Sequence, residues 1–130
     1  MTALDTNVLV RIITNDDRAR AARAATFLRE QERVFIPKTV VLELEWVVRS
    51  AYRIGPSAVV SALRDILSVS NVEIEDEAVV TQAIECHERG MDFADALHIG
   101  SAGREWKFAT FDNRLRRKVR RLGVGELADI

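Results

Sequence analysis

Residues 1–9 read MTALDTNVL, and this stretch decides the fold. Residues 2–4 are small or apolar and suit a buried strand, and Asp5 follows them directly. The chain then enters a dense apolar run, from Val8 to Ile13, which needs a core to cover it. A strand that ends on an acid and passes straight into a helix places that carboxylate at the carboxyl edge of a sheet, where open α/β sheets bind ligands. Asp5 also suits the N-cap of a helix that begins near Thr6, and this stretch alone leaves both roles open.

The composition is that of one folded domain. The 130 residues are 48% hydrophobic and 30% charged, which is enough apolar material for a sizeable core and too much for a disordered chain. We therefore expect a single domain over residues 1–130. The net charge of -1 predicts no general attraction to nucleic acid, so any such binding has to rest on local basic patches.

The single cysteine, Cys86, has no partner for an internal disulfide, which is typical of a protein in the reducing cytoplasm. It lies on the apolar side of its predicted helix, so we expect a small buried hydrophobe and not a nucleophile. The sequence has no recognisable signal peptide, and charged residues such as Arg11, Glu43 and Glu45 interrupt its longest apolar runs. The prediction is a cytoplasmic protein without a membrane contact.

Strand-like segments alternate with amphipathic helices along the chain. Strands are predicted over 2–4, 33–37, 70–75 and 107–111 and near 124–128, and the helices between them begin at acidic or proline caps. Such alternation is typical of a parallel sheet with right-handed crossover connections. The predicted fold class is α/β, a three-layer α/β/α fold with a central parallel sheet.

Four acidic residues stand where a purely solvent-facing carboxylate is not expected. Asp5 ends the first strand and Asp112 ends the predicted strand 107–111, so a parallel sheet would bring both to one edge. Asp95 lies between apolar neighbours, in the first turn of the helix that precedes that strand. Glu43 lies within the apolar segment VVLEL. We therefore expect these four carboxylates to converge.

Converging carboxylates need a positive partner. An acid among apolar residues is costly unless it is paired, and His98 offers Asp95 the one nearby partner in sequence. Two carboxylates about 5 Å apart repel by roughly 3 kcal/mol at an effective dielectric of about 20. A divalent cation removes this cost, and carboxylate ligands favour Mg²⁺ or Mn²⁺ over Zn²⁺. The chemistry that such ions support here is hydrolysis of phosphodiester bonds.

Polar residues beside these acids are candidates for a supporting role. Thr6, Asn7 and Thr110 are placed to orient a water molecule or the carboxylates themselves. Asp92 is predicted chiefly as the N-cap of the helix that follows it, with a role in the site as the alternative.

Four segments of the chain resemble one known family. They are LDTNVLVRII at 4–13, IPKTVVLELEWVVRSAY at 36–52, DFADALHIGSAG at 92–103 and FATFDNRLRR at 108–117. Their order and spacing are similar to those of the PIN domain, and more closely to those of VapC-type ribonuclease toxins of bacterial toxin–antitoxin pairs.

The resemblance implies a PIN-like fold and a Mg²⁺- or Mn²⁺-dependent endoribonuclease. Its catalytic and metal-binding acidic quartet is matched here by Asp5, Glu43, Asp95 and Asp112. The resemblance also implies a homodimer and a cognate VapB-type antitoxin that occludes the site.

Basic residues are the candidates for binding RNA. Six of them crowd the short helix that follows the last acid, among them Arg114 and Arg117, and Arg11 follows the first acid. Phosphate contacts of this kind give affinity without sequence selectivity. A solvated helix face explains the same pattern equally well.

Trp46 and Trp106 have rings suited to stacking on bases, but we expect them to pack in the core or in a dimer contact.

The apolar helix faces and the acids also predict how the chain meets its partners. Residues 40–48 and 59–67 carry more Val and Leu than one sheet face should need to cover, which predicts a symmetric homodimer with a self-complementary patch.

An inhibiting antitoxin is expected to place an arginine near Asp5 and Asp95, since guanidinium pairs with carboxylates in a bidentate manner, and to lay an apolar segment along an adjacent groove.

Three other functions share some of these features. A PIN-like nuclease acting on DNA has the same acidic pocket, but this chain is short and has no inserted arch. A non-catalytic PIN interaction module has no reason to keep four mutually repelling acids. A phosphoacceptor receiver domain needs a lone acceptor aspartate and a lysine at a later strand end, whereas Asp112 ends the predicted late strand and Lys107 begins it.

Overall fold

The computed structural model describes residues 1–130 and contains three strands and seven helices. In chain order they are β1 (Thr2–Ala3), α1 (Thr6–Thr14), α2 (Arg18–Glu30), β2 (Val34–Ile36), α3 (Lys38–Ser50), α4 (Pro56–Leu67), β3 (Val72–Ile74), α5 (Glu77–Glu88), α6 (Phe93–Ala102) and α7 (Asn113–Leu122). The chain divides into two compact units, Met1–Glu77 and Ala78–Ile130. No helix has both the length and the apolar character that crossing a membrane requires.

The first unit contains a parallel sheet in the order β1-β2-β3. Thr2 pairs with Val34 between the first two strands, and Ile36 pairs with Ile74 between the last two. Two helices connect each pair of neighbouring strands, as parallel pairing requires. The predicted α/β class with a central parallel sheet is therefore confirmed.

The helices of the first unit cover this sheet with their apolar stripes. Helix α1 packs against α2 and α3, and α4 packs against α3 and β3. The apolar residues of α4 that face inward, Val59, Val60, Leu63 and Ile66, are all buried within the chain. The expectation that this face is left over for a dimer contact is therefore wrong, because the chain itself covers it.

The second unit is built from α5, α6 and α7. Gly100 of α6 lies so close to α5 that an added Cβ would stand 3.1 Å from Cγ1 of Val79. Cys86 is buried, as predicted, and burial raises the pKa of its thiol, which makes it a packing residue. The last turn of α6 therefore packs directly on α5.

The strands predicted over 107–111 and near 124–128 do not form. Only Phe108 and Leu127 make a parallel bridge, through hydrogen bonds from Phe108 N to Glu126 O (2.8 Å) and from Ala128 N to Phe108 O (2.9 Å). Gly123, left-handed with φ 65°, ends α7 just before this segment. The prediction that Asp112 ends a strand of the sheet is therefore wrong.

Candidate active site

Asp5 lies at the carboxyl end of β1, where the chain enters α1, and it caps that helix. Its Oδ1 accepts a hydrogen bond from the backbone N–H of Thr6 (2.8 Å), and its Oδ2 accepts one from Nδ2 of Asn7 (3.2 Å). The residue is exposed, so its carboxylate is open to solvent while these bonds hold its orientation. Asp5 thus fills both roles that the sequence left open, the cap and the acid at a strand end.

The two polar neighbours of Asp5 differ in what they touch. Asn7 bonds directly to the Asp5 carboxylate, which fits the supporting role predicted for it. Thr6 is 5% exposed, and its Oγ1 has no hydrogen-bond partner, so its one contact with Asp5 is through the backbone N–H.

Glu43 and Glu45 lie on the same helix, α3, but in opposite environments. The buried residues of α3 are Val41, Leu44, Glu45 and Val48, a stripe with helical spacing that leaves Glu43 outside it. Glu43 is exposed, so the prediction of a carboxylate half-buried among apolar residues is wrong for this acid. Glu45 is 2% exposed, and its Oε1 accepts a hydrogen bond from Nε of Arg49 (2.8 Å), so the buried carboxylate of this pair has a cationic partner.

The second unit brings three acids together around one small cavity. Asp92 caps α6 by accepting a hydrogen bond from the backbone N–H of Asp95 (3.1 Å). Asp112 caps α7 by accepting hydrogen bonds from the backbone N–H groups of Arg114 (2.9 Å) and Leu115 (3.1 Å). The cavity has a volume of about 230 Å³ and is lined by Asp92, Asp95, Asp112, Arg114, Leu115 and Lys118. Asp92, which was predicted chiefly as a helix cap, therefore lines the same cavity as the two predicted site acids, Asp95 and Asp112.

Asp95 lies in this cavity in surroundings that disfavour its ionised form. Burial raises the pKa of its carboxyl group, and the negative charges of Asp92 and Asp112 raise it further. The charges of His98 and Lys118 oppose this shift without reversing it. The cavity therefore carries an excess of negative charge, which a bound cation would offset.

The donors available in each unit are oxygens. Asp92, Asp95 and Asp112 offer carboxylates in the second unit, and Asp5 offers one in the first, a donor chemistry that fits Mg²⁺ or Mn²⁺. Within neither unit do three or more His, Cys, Asp or Glu side chains lie close enough together to hold a metal ion by themselves.

The basic residues divide into those held by the protein and those open to solvent. Arg11 binds both carboxylate oxygens of Asp16 (3.0 and 3.1 Å), a contact that lowers the pKa of Asp16. Arg116 donates to two backbone carbonyls, those of Thr110 (3.2 Å) and Ala128 (3.1 Å). Arg114 and Arg117 are exposed, and their guanidinium groups make no ion pair.

Lys118 and Thr110 are fixed close to the acids. Nζ of Lys118 donates to the carbonyl of Gly90 while the side chain lines the acidic cavity. Oγ1 of Thr110 accepts a hydrogen bond from the backbone N–H of Asp112 (3.1 Å), so Thr110 holds the backbone of this acid and does not bond to its carboxylate. The sequence did not single out Lys118 as a cavity residue, although it lies four residues after Arg114 and three after Leu115, a spacing that places the three on one face of α7.

Among solved structures, the chain is similar to VapC20 of Mycobacterium tuberculosis, a toxin described as cleaving the sarcin-ricin loop. The two share 21% sequence identity over 90% of this chain and 94% of VapC20, with a TM-score of 0.47. No curated protein matches the sequence.

The model of the PIN domain family matches residues 2–120 of this chain. This match covers both compact units and all four acids of the predicted quartet, and it agrees with the parallel sheet and its flanking helices. The chain therefore belongs to the PIN domain family, whose fold is a three-layer α/β/α fold and whose members are nucleases that generally use divalent metal ions.

Proposed function

We propose that this protein is a metal-dependent endoribonuclease of the VapC toxin type and that residues 1–130 act as one PIN domain. The observation that carries the proposal is the cavity where Asp92, Asp95 and Asp112 meet Arg114 and Lys118, in a chain of a nuclease family. Carboxylates that gather beside cations suit a phosphodiester substrate, because the acids hold the metal and the cations neutralise phosphate.

We propose that Asp5, Glu43, Asp95 and Asp112 together hold Mg²⁺ or Mn²⁺. Such an ion supplies Lewis-acid activation of a water molecule and neutralises charge on the scissile phosphate. The chain's own contribution is to keep the carboxylates in place: Asn7 orients Asp5, and the start of α7 orients Asp112. A bound cation would stabilise the ionised form of Asp95, since burial and two neighbouring acids disfavour its charge.

The RNA strand is proposed to approach along α7. Arg114 and Arg117 present exposed guanidinium groups within five residues of Asp112, so phosphates flanking the scissile bond have cations to bind. Arg11 is a weaker candidate than its sequence position suggests, because Asp16 already neutralises it.

A VapB-type antitoxin is the proposed inhibitor. A groove of about 850 Å³ lies between α1 and α2, and Asn7, Val8, Arg11, Arg23 and Phe27 are among the residues that line it. Because Asn7 also bonds to Asp5, an antitoxin segment in this groove would end beside a proposed metal ligand. An arginine of the antitoxin would then pair with the acids in place of the metal.

We also propose a homodimer, as the family resemblance implies. The α4 face cannot supply the contact, because it is covered within the chain. Sedimentation at micromolar concentration should give twice the chain mass of 14.6 kDa, and a monomer would refute the dimer.

The proposed activity can be tested with matched RNA and DNA oligonucleotides of one sequence. With Mg²⁺ or Mn²⁺ the wild-type protein should cut the RNA and leave the DNA intact. Asp95→Asn should lose this activity, whereas Asp65→Asn, which changes an exposed acid of α4, should keep it. Cleavage of the DNA alone would favour the DNA nuclease, and no cleavage of either would favour the interaction module.

A further inference from the structure

Phe111 is an aromatic side chain in an unusual position. It directly precedes Asp112 and is 82% exposed, more than any other aromatic residue of the chain. The pattern KFATF predicts that this ring lies in a strand, yet the bridge at Phe108 does not extend to it. An exposed ring beside a proposed metal ligand needs an explanation other than packing.

The backbone on both sides of Phe111 is held firmly. The carbonyl of Thr110 accepts a hydrogen bond from Arg116 (3.2 Å), and Oγ1 of Thr110 accepts one from the backbone N–H of Asp112 (3.1 Å). The carboxylate of Asp112 then caps α7 through two backbone N–H groups. Because this segment is already ordered, the ring can bind a flat partner with little further loss of backbone entropy.

We propose that Phe111 stacks on an unpaired base of the RNA, next to the phosphate that is cut. This inference rests on the proposed ribonuclease function and assigns Phe111 a positioning role in it. Every base has a face that an aromatic ring can cover, whereas bases within a duplex are already stacked on each other. A fixed stacking residue beside the acids would thus place the scissile phosphate relative to the unpaired base.

The surroundings of Phe111 favour nucleic acid over a protein partner. The residues that follow it in the chain, Asp112, Asn113 and Arg114, are all exposed and polar or charged, so polar groups flank the ring on its C-terminal side. The core of a protein interface is apolar and depleted in charge. A lone ring with a free arginine three residues away matches the combination of stacking and phosphate contacts found at single-strand sites.

The experiment measures binding of a 12-nucleotide single-stranded RNA that carries 2-aminopurine, with Ca²⁺ in place of Mg²⁺ and with a gel to verify that the RNA stays intact. Phe111→Ala and Phe111→Leu should each weaken binding about tenfold and reduce the quenching of 2-aminopurine. Phe111→Tyr should bind as the wild type does, because it keeps the aromatic face. All three variants should melt at the wild-type temperature, since the side chain is exposed.

Two controls separate stacking from other effects. Trp106→Ala removes a ring that is 70% exposed in the same unit but five residues away, and it should leave binding unchanged. Arg114→Ala should lower the slope of log affinity against log salt by about one, whereas Phe111→Ala should leave that slope unchanged.

The outcomes distinguish this inference from the proposed function. If the wild type cuts the RNA in Mg²⁺ but Phe111→Ala binds and cuts it normally, stacking is overturned and the ring is better explained as a protein contact. If Trp106→Ala weakens binding as much as Phe111→Ala does, the assignment to Phe111 is also overturned. If RNA binding depends on Phe111 but no cleavage occurs with any metal, the stacking role stands and the ribonuclease function fails.

Discussion

Asp5, Asp92 and Asp112 each hold the start of a helix through their carboxylates, and the first and last of them are also proposed metal ligands. Replacing Asp5 or Asp112 with alanine therefore removes both a helix cap and a proposed metal ligand. Loss of the N-cap alone costs about 1 kcal/mol of stability. Asp5→Ala loses the cap of α1 together with a negative charge, so its stability does not report on the charge alone. Asparagine keeps most of the cap and removes the charge, so it is the substitution that isolates the chemistry.

Asp95 differs from these acids because its own charge is unfavourable. Its pKa is raised in the folded protein, so above the ordinary pKa of aspartate the folded state binds more protons than the unfolded state, and stability falls as the pH rises through the raised pKa. Without metal, Asp95→Asn should therefore melt at a higher temperature than the wild type at pH 7. The difference should shrink in acid, below the ordinary pKa of aspartate. Equal melting temperatures at pH 7 would contradict this account of the cavity.

Glu43 and Glu45 form a matched pair on α3 for separating chemistry from packing. Glu43→Gln should leave the unfolding midpoint unchanged, since Glu43 is exposed, and should slow cleavage at least tenfold, which is about 1.4 kcal/mol of barrier. Added Mn²⁺ should restore part of the rate if Glu43 tunes metal affinity. Glu45→Gln should show the reverse, a loss of about 1 kcal/mol or more of stability, because Glu45 is buried and bonded to Arg49.

Wild-type cleavage by Glu43→Gln at low metal would reduce the proposed site to Asp5, Asp95 and Asp112. The sequence could not show which of the two glutamates is buried. Nearly every residue of VVLELEWVV is apolar, so more than one face of the helix could pack against the core. Only the packing of Val41, Leu44 and Val48 selects the phase that buries Glu45.

At the scale of elements, α7 combines arginines of two kinds. Arg116 is half-buried and donates to two backbone carbonyls, so Arg116→Ala should lower the free energy of unfolding by about 1–3 kcal/mol. Arg117→Ala should change it by less than about 0.5 kcal/mol, since Arg117 is exposed. Urea unfolding checks both values, and the salt dependence of RNA binding should decrease for Arg117→Ala. Equal destabilisation by the two variants would show that the contacts of Arg116 add nothing.

The elements that the sequence predicted well are those with local signals. Proline and aspartate mark the starts of α2, α4, α6 and α7, and short apolar runs mark the three strands of the sheet. The segment KFATF has the same apolar character, but a strand needs a partner, and the partner segment near 124–128 offers a single bridging residue. A pairing partner is a non-local requirement, so the sequence of KFATF alone could not show that it is missing. For the same reason the sequence could not predict that Phe111 is exposed.

At the scale of the whole molecule, the proposed quartet combines acids that lie far apart in the sequence. The sheet argument that first linked Asp5 to Asp112 fails, because residues 107–111 are not a strand. The link is now carried by the family match over residues 2–120 and by the shared chemistry of the carboxylates. Metal binding by the four carboxylates is therefore the property that tests the proposed quartet.

The most direct test of the central claim is RNA cleavage measured while the metal is removed and restored. The protein should lose all cleavage in excess EDTA and regain it when Mn²⁺ or Mg²⁺ is added beyond the chelator, while Asp95→Asn should stay inactive throughout. Because Mg²⁺ keeps several of its waters, we expect half-maximal rates only at high metal concentration. Cleavage by the wild type that persists in excess EDTA, and that Asp95→Asn retains, would contradict the account.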